Sequence, residues 1–417
     1  MKRLLLLCAC VALPLGPGLF GAGLALSQDD LLRTALRENQ TLQAARARWE
    51  MMKQRVPQAR AWDDPMTGAT LDRTGTLRPG RVADTEWMLS QSIPVSGKNL
   101  SRARASEAEA LAAFQEFRRA RLDVVLRVRA AYARLAGGQG QLEINRRNEA
   151  FLGQFADLSR KKYEVGTATQ SDVLLAETEK ARLSETRAMI ERDLSDQQTQ
   201  LNVLADRPAG SPLGPPEPPR LRPPALNAVQ AEALAAQSRP EILLAWRKIE
   251  AEQARLQLAH RQWIPDPQIQ IAARQYSGAQ GIREYDTGIV FSIPWANGGK
   301  YSAGVGEARE SLAGARHDYA AARAEAVGLV RDQFKKIETA AANYRLYHDR
   351  ITPLAQGAVD ATRTGYETDK NSFLELITAQ RNLQEIESSA LNQLTEHQVA
   401  VAELEALVGV ESKETLK

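Results

Sequence analysis

The chain is poor in cysteine, in aromatic residues and in net charge, and each shortage closes off a class of protein. Of 417 residues only Cys8 and Cys10 are cysteines, both in an apolar stretch at the start. Everything after Cys10 therefore holds together without a disulfide of its own, in whatever compartment it works. Aromatic residues make up 6% while hydrophobic ones reach 43%, much of that alanine and leucine. Such a mixture packs long helices better than a bulky globular core. With Lys2 and Arg3 set aside, 52 basic side chains face 51 acidic ones. Nothing in that balance points to nucleic acid.

Recognisable chemistry is absent too. Gly97-Lys98 and Gly299-Lys300 look like fragments of a phosphate loop. No glycine stands five residues before Gly97, however, and no Ser or Thr follows either lysine, so the nucleotide reading fails. The four histidines, His260, His317, His348 and His397, lack metal-ligand spacing and read as solvated helix surface. Adjacent Met51 and Met52 read as core rather than as copper ligands. No nucleophile stands in a catalytic motif, so the reading is not an enzyme, and no cofactor or metal is implied.

Residues 1–27 read as a secretory signal peptide. Met1-Lys2-Arg3 is basic, Leu4 to Leu26 is apolar but broken by Pro14, Gly16, Pro17 and Gly18, and Ala25-Leu26-Ser27 offers small residues before Gln28. A single membrane anchor is the other reading. Leu7-Cys8-Ala9-Cys10 is a rough lipoprotein box, which leaves lipidation of Cys10 open.

What the chain does have is an internal repeat. Ser92-Ile93-Pro94, followed by Gly97-Lys98, returns as Ser292-Ile293-Pro294, followed by Gly299-Lys300. Around this mark Glu50 pairs with Glu250, Asp64-Pro65 with Asp266-Pro267, Tyr132 with Phe334 and Tyr163-Glu164 with Tyr366-Glu367. The offset drifts only from 200 to 203 residues, so one unit has been duplicated. The expected division is a first repeat over 28–206, a linker over 207–224, a second repeat over 225–410 and a tail over 411–417. The linker carries eight of the nineteen prolines in eighteen residues, which no helix survives.

Each repeat reads as helix, β-hairpin, long helix, tip turn and helix. Leu31, Leu32, Ala35, Leu36, Leu42, Ala45, Trp49 and Met52 recur at helical steps, predicting a helix from 29 to 61 with its counterpart over 225–263. Strands are expected at about 66–75 and 85–95, and again at 268–277 and 284–293. They alternate strictly: Tyr285, Thr287, Ile289, Phe291 and Ile293 on one face, Asp286, Gly288, Val290 and Ser292 on the other. Two structures fit that pattern, a membrane barrel with an apolar outside and a soluble sheet packed on one face. The helices favour the barrel. No proline interrupts 97–163, about 100 Å of helix at 1.5 Å per residue. No compact domain buries such a helix, so it must pack along others through its small-residue seam of Ala105, Ala108, Ala112, Ala130, Ala131 and Ala133. The second long helix carries Pro353, where a bend is expected. The helical hairpins span 97–205 and 300–408. A helical assembly projecting from a small barrel follows, with Pro94, Gly97, Pro294 and Gly299 as the strand-helix corners. Trp87, Trp295, Tyr276 and Tyr285 suit either an interfacial aromatic girdle or corner packing.

This order of elements, with the strand-ending Ile-Pro and Gly-Lys and the tip Tyr163-Glu164-Val165-Gly166-Thr167 followed by Asp172-Val173-Leu174, resembles the TolC-type outer-membrane efflux proteins. The resemblance covers essentially the whole chain after residue 27. It implies an α+β membrane protein that trimerises, each protomer giving four strands to one barrel above a periplasmic helical coiled-coil tunnel. The implied partners are a periplasmic adaptor, an inner-membrane pump and outer-membrane lipid. Val165, Gly166 and Thr167 match the family's adaptor-docking tip, and Thr368, Asp369 and Lys370 replace them in the second repeat. Asp172 and Glu375 fall where the tunnel narrows. A threefold ring of such carboxylates would favour cations, and their place near helix starts suits capping as well. The rival architectures are a periplasmic coiled-coil adaptor, which needs one hairpin rather than two, and a scaffold, which leaves the alternating strands unused. The substrate is not legible.

Overall fold

In the computed structural model of the chain, residues 26–72, 84–276, 281–368 and 370–409 are described. The leader with Cys8 and Cys10, the expected hairpin turns at 79–80 and 278–280, Asp369 and the tail over 411–417 lie outside the described residues.

The first repeat runs α1 (Gln28–Glu38), α2 (Gln40–Arg60), β1 (Met66–Asp72), β2 (Asp84–Ser92), α3 (Lys98–Glu164) and α4 (Gln170–Leu204). The second runs α5 (Ala228–Ser238), α6 (Pro240–Arg261), β3 (Gln268–Gln275), β4 (Glu284–Val290), α7 (Gly298–Leu346), α8 (Thr352–Glu367) and α9 (Phe373–Val408). The four strands form one antiparallel sheet in the order β1-β2-β3-β4.

The single entry helix expected in each repeat is split in two. Asn39 ends α1 in extended backbone, and its side-chain oxygen accepts from the Leu42 N–H at 3.0 Å to start α2. Its amide nitrogen donates to the Leu204 carbonyl, tying the break to the end of α4. In the second repeat Pro240 opens α6, a position where its missing N–H costs nothing.

The long helix α3 is unbroken over 67 residues, as its sequence requires. Its counterpart is interrupted. Five residues, Tyr347–Ile351, widen into a π-helical turn between α7 and α8, and the Thr352 N–H reaches back to the Tyr347 carbonyl. The wider turn makes room for Pro353, whose ring would clash with the carbonyl four residues before it.

Helix α3 packs against α1, α2, α4, α6 and α9, and α7 packs against α5, α6 and α9. The alanine seam is buried as expected, with Ala112 only partly so. Packed layers alternate along the length. Around Leu135 and Leu201 the first repeat closes on itself; around Val330 and Leu404 the second does; at the tips both contribute. Each fully buried leucine or phenylalanine there is worth about 1.5–3 kcal/mol. The linker lies along the first layer: the Leu26 N–H donates to Pro215, and the Tyr132 hydroxyl donates to Leu26 and accepts from the Glu217 N–H. Leu26 and Ser27, the N-cap of α1, are thus built into the fold although they fall within the stretch read as leader.

Candidate functional site

The sheet is the first functional surface. Its register lines up Ala69, Trp87, Ala273 and Tyr285 in one row and Thr67, Leu89, Ile271 and Thr287 in the next, on a single face. Among the described residues no protein packs against that face: Leu71, Trp87, Leu89, Tyr285 and Ile289 are all exposed, Tyr285 by 70%. A soluble sheet buries its apolar side; this one presents it outward. The opposite face is mostly polar and carries its own ion pairs and hydrogen bonds. Arg274 pairs with Glu86 at 2.9 Å and with Glu284 at 3.5 Å, the Gln268 amide donates to Ser90 at 2.9 Å, and the Tyr276 hydroxyl donates to Glu284 at 2.6 Å. Tyr276 therefore sits on the polar side, away from Trp87 and Tyr285. Among the described residues β1 pairs only with β2 and β4 only with β3, so both sheet edges are open. No described helix is long and apolar enough to cross a membrane.

The strand-helix corners come next, and they are not alike. At the first, Pro94 ends the sheet and Gly97 takes φ +68°, the left-handed region open to glycine. A Cβ there would meet the Arg261 guanidinium 2.0 Å away. Arg261 donates to the Ser96 and Gly97 carbonyls at 3.0 Å each. Asp266 closes the corner: one oxygen accepts from the Ser96 N–H, the other from the Ser96 hydroxyl, both at 2.8 Å, and Lys98 adds an ammonium at 3.0 Å. Burial works against the Asp266 charge, and the hydrogen bonds from Ser96 with the Lys98 charge outweigh it, holding the carboxyl below the usual carboxylate range. The second corner is built differently. Pro294–Asn297 form a 3₁₀ turn, and Gly299 lies inside α7 without a positive φ. The two extra residues before Lys300 are absorbed by that turn, so no left-handed glycine is needed.

The hairpin tips face away from the sheet. In the first, Gly166 adopts φ +78° and the Thr167 N–H returns to the Lys162 carbonyl at 2.8 Å, ending α3. Val165, Gly166 and Thr167 are exposed, Val165 by 74%, alongside exposed Tyr163 and Leu174. Asp172 forms a capping box with Thr169: its Oδ2 accepts from the Thr169 N–H at 3.0 Å and the Thr169 hydroxyl at 2.9 Å, while the Asp172 N–H donates to Thr169 Oγ1. Glu375 does the same in the second tip, its Oε2 accepting from the Ser372 N–H and the Asn371 amide. The Asn371 bond first, and then Ser372, hold the Glu375 carboxyl below its ordinary value. Capping is thus a job both carboxylates perform. Thr368 bonds back to Thr364, and Lys370 is exposed with its N–H donating to the Gly365 carbonyl at 2.7 Å.

Several residues that position the tips carried no motif. Lys162 donates to the Tyr366 carbonyl at 2.8 Å and lies 4.5 Å over the Tyr366 ring, joining the two tips. Buried Glu179 in α4 binds Arg381 in α9 and Arg182 in its own helix. Phe373, 1% exposed, stacks its edge towards Tyr366. The residues facing one another across the hairpins are discernible only in three dimensions, apart from the aromatic pair Tyr366 and Phe373, which brackets the turn. His397, read as solvated, is instead 2% exposed, with no hydrogen-bond partner for Nδ1. It sits on the packed side of α9, and four histidines without common spacing gave no hint of that. Among the described residues no group of three or more His, Cys, Asp or Glu is placed to hold a metal ion.

Comparison with known proteins agrees with this geometry. The family described as Outer membrane efflux protein matches residues 31–206 and 233–410, one stretch per repeat. The alkaline protease secretion protein AprF of Pseudomonas aeruginosa is 25% identical over 394 residues, covering 90% of this chain and 80% of that protein. Outer membrane protein OprJ of the same species is 24% identical, covering 93% and 82%. Among solved structures, the CmeC outer membrane channel of Campylobacter jejuni matches with a TM-score of 0.80 at 14% identity, over 95% of this chain and 90% of that one. The outer membrane protein VceC of Vibrio cholerae gives 0.78 at 19% identity, over 92% and 96%. The structural likeness carries the fold, long helical hairpins on a small antiparallel sheet, and the family match carries the rest: this chain is a member of the outer membrane efflux protein family.

Proposed function

We propose that three copies of the chain form one outer-membrane channel, the exit duct of a tripartite efflux or export system. The observation that carries this is the sheet, with its apolar face outward, its ion-paired face inward and both edges open. An open edge in lipid costs several kcal/mol per unpaired backbone group, and closure into a barrel removes it. Four strands from each of three copies give a twelve-stranded barrel, with the helices continuing below as a tunnel through the periplasm. Passage is passive and the chain performs no chemistry; an inner-membrane pump supplies the drive. A periplasmic adaptor docks on the tips, through Val165, Gly166 and Thr167 of the first and Thr368, Asp369 and Lys370 of the second. A capping carboxylate still lends its charge to a ring, so Asp172 and Glu375 set a cation preference where the three sets of tips converge.

Membrane fractionation tests the core of this reading. Extraction only by detergent is expected, and release by carbonate alone rejects it. For the aperture, the Asp172→Asn/Glu375→Gln pair keeps the capping acceptors and removes the charge; in planar bilayers it should lower cation selectivity, and unchanged selectivity rejects the ring. AprF is named for protease secretion and the family for efflux. A deletion strain assayed for drug and metal sensitivity and for secreted protein identifies which cargo this channel serves.

A further inference from the structure

The internal repeat contains one complete corner and two unmatched halves of another. At the complete corner, Lys98 of the first repeat meets Asp266 of the second, while Arg261 of the second binds the Ser96 and Gly97 carbonyls of the first. One repeat away, 202 residues apart in each case, Lys300 stands for Lys98 and Asp64 for Asp266, and Arg60 ends its helix one residue nearer to Asp64 than Arg261 lies to Asp266. Lys300 follows β4 and Asp64 precedes β1, so within one chain they stand at opposite edges of the sheet. All three are exposed, and among the described residues none of them forms an ion pair; Lys300 merely lies 5.7 Å from the centre of the Tyr301 ring. Lys98 and Asp266, by contrast, are only 17% and 16% exposed at their side chains.

The strands give the register that would join the halves. The hairpins β1-β2 and β3-β4 pair identically one repeat apart, Met66 opposite Ser90 and Gln268 opposite Val290. Between them, Ser92 faces Gln268 and Leu89 faces Ile271. Carried by the repeat to the two free edges, that register sets Ser292 opposite Met66, and Ile289 opposite Ala69, of a second copy. The helices point the same way. Helix α3 packs on both α2 and α6, whereas α7 packs on α6 and has no comparable contact with α2 of its own chain.

We propose that Lys300 pairs with Asp64 of the neighbouring copy, a charged latch that closes each subunit boundary at the base of the sheet. This rests on the trimeric reading above. Arg60 of the same neighbour then lies against the second corner as Arg261 lies against the first. The second corner is two residues longer and has no serine at the place of Ser96, so the latch depends on charge more than the inner corner does.

The test uses the full chain in its native membrane. Asp64→Cys combined with Lys300→Cys, treated with a short bis-methanethiosulfonate, should give covalent dimers and trimers that neither single variant gives. A bifunctional reagent is needed because an ion pair spans more than the Cα distance a direct disulfide tolerates. Single reversals D64K and K300D should each lower the trimer fraction surviving mild detergent about fivefold, since a charge reversal exchanges attraction for repulsion at each boundary, and D64K/K300D together should restore it. If glutaraldehyde captures a trimer but the cysteine pair does not link, or the double reversal is no better than either single one, the latch is wrong and the trimer stands. If glutaraldehyde captures no trimer, the assembly fails and the latch with it. The cysteine pair decides the matter should a reversal variant not fold.

Discussion

Replacing Asp266 with alanine should open the first corner while leaving the helices intact. The carboxylate accepts three hydrogen bonds, from the Ser96 N–H, the Ser96 hydroxyl and the Lys98 ammonium. Breaking a buried pair from one side costs about 3–5 kcal/mol, and an exposed pair is worth about 0–1. With both side chains about one-sixth exposed, a loss of about 2 kcal/mol is expected, or roughly a thirtyfold rise in local opening. Hydrogen exchange of peptides covering 93–99, in detergent or nanodiscs at neutral pH, reads this without requiring global two-state unfolding. Adding Lys98→Met should cost less than the sum of the single changes, because the two share one interaction. Acid supplies an independent check. The folded carboxyl titrates below its unfolded value near 3.9, so its contribution is complete above that value and disappears as pH falls through the lower folded one. After correction for intrinsic exchange, wild-type protection should be flat from pH 8 to pH 5 and fall only below about pH 4. A change under about threefold in the alanine variant, or protection already lost above pH 5, would refute this account of the corner.

Four further outcomes are expected. In the second tip, Gly365→Ala places a methyl 1.7 Å from Asn371 Oδ1 and should destabilise the turn by about 1–3 kcal/mol, seen as faster proteolytic nicking near 365–375. Gly357→Ala, with open space around it in the same helix, should be neutral or stabilising. Phe373→Ala, at the centre of the shared tip core, should cost about 3–5 kcal/mol locally and raise amide exchange in both tips, because Tyr366 and Phe155 pack in the same cluster. The Glu375 cap, whose carboxyl titrates below its ordinary value, is complete above that ordinary value and lost as pH falls through the folded one. Ser372 exchange should therefore accelerate in acid in the wild type, whereas Glu375→Gln, which keeps an acceptor, should remove the pH dependence.

The elements and their order are written in local sequence. Proline-free alanine-rich runs can only be long helices, alternation marks the strands, and the Ser-Ile-Pro repeat fixes the two halves against each other, so α3, the four strands and the tips were all legible. Asn39 as a cap and Pro240 at a first helical position are the local signals that mark the splits in the entry helices. Which residues meet across the repeats is settled by three-dimensional packing alone. Asp266 reaches the first corner, Lys162 joins the tips, Glu179 finds Arg381, and His397 turns inward; none of these follows from spacing, because each contact joins segments at least thirty residues apart in sequence and is selected by helix rotation and sheet register. The two corners state the physical reason most plainly. Nearly the same words, Ile-Pro and Gly-Lys, build a left-handed glycine corner once and a 3₁₀ turn the second time, since two inserted residues change the path the chain must take while the strand and helix on either side stay fixed.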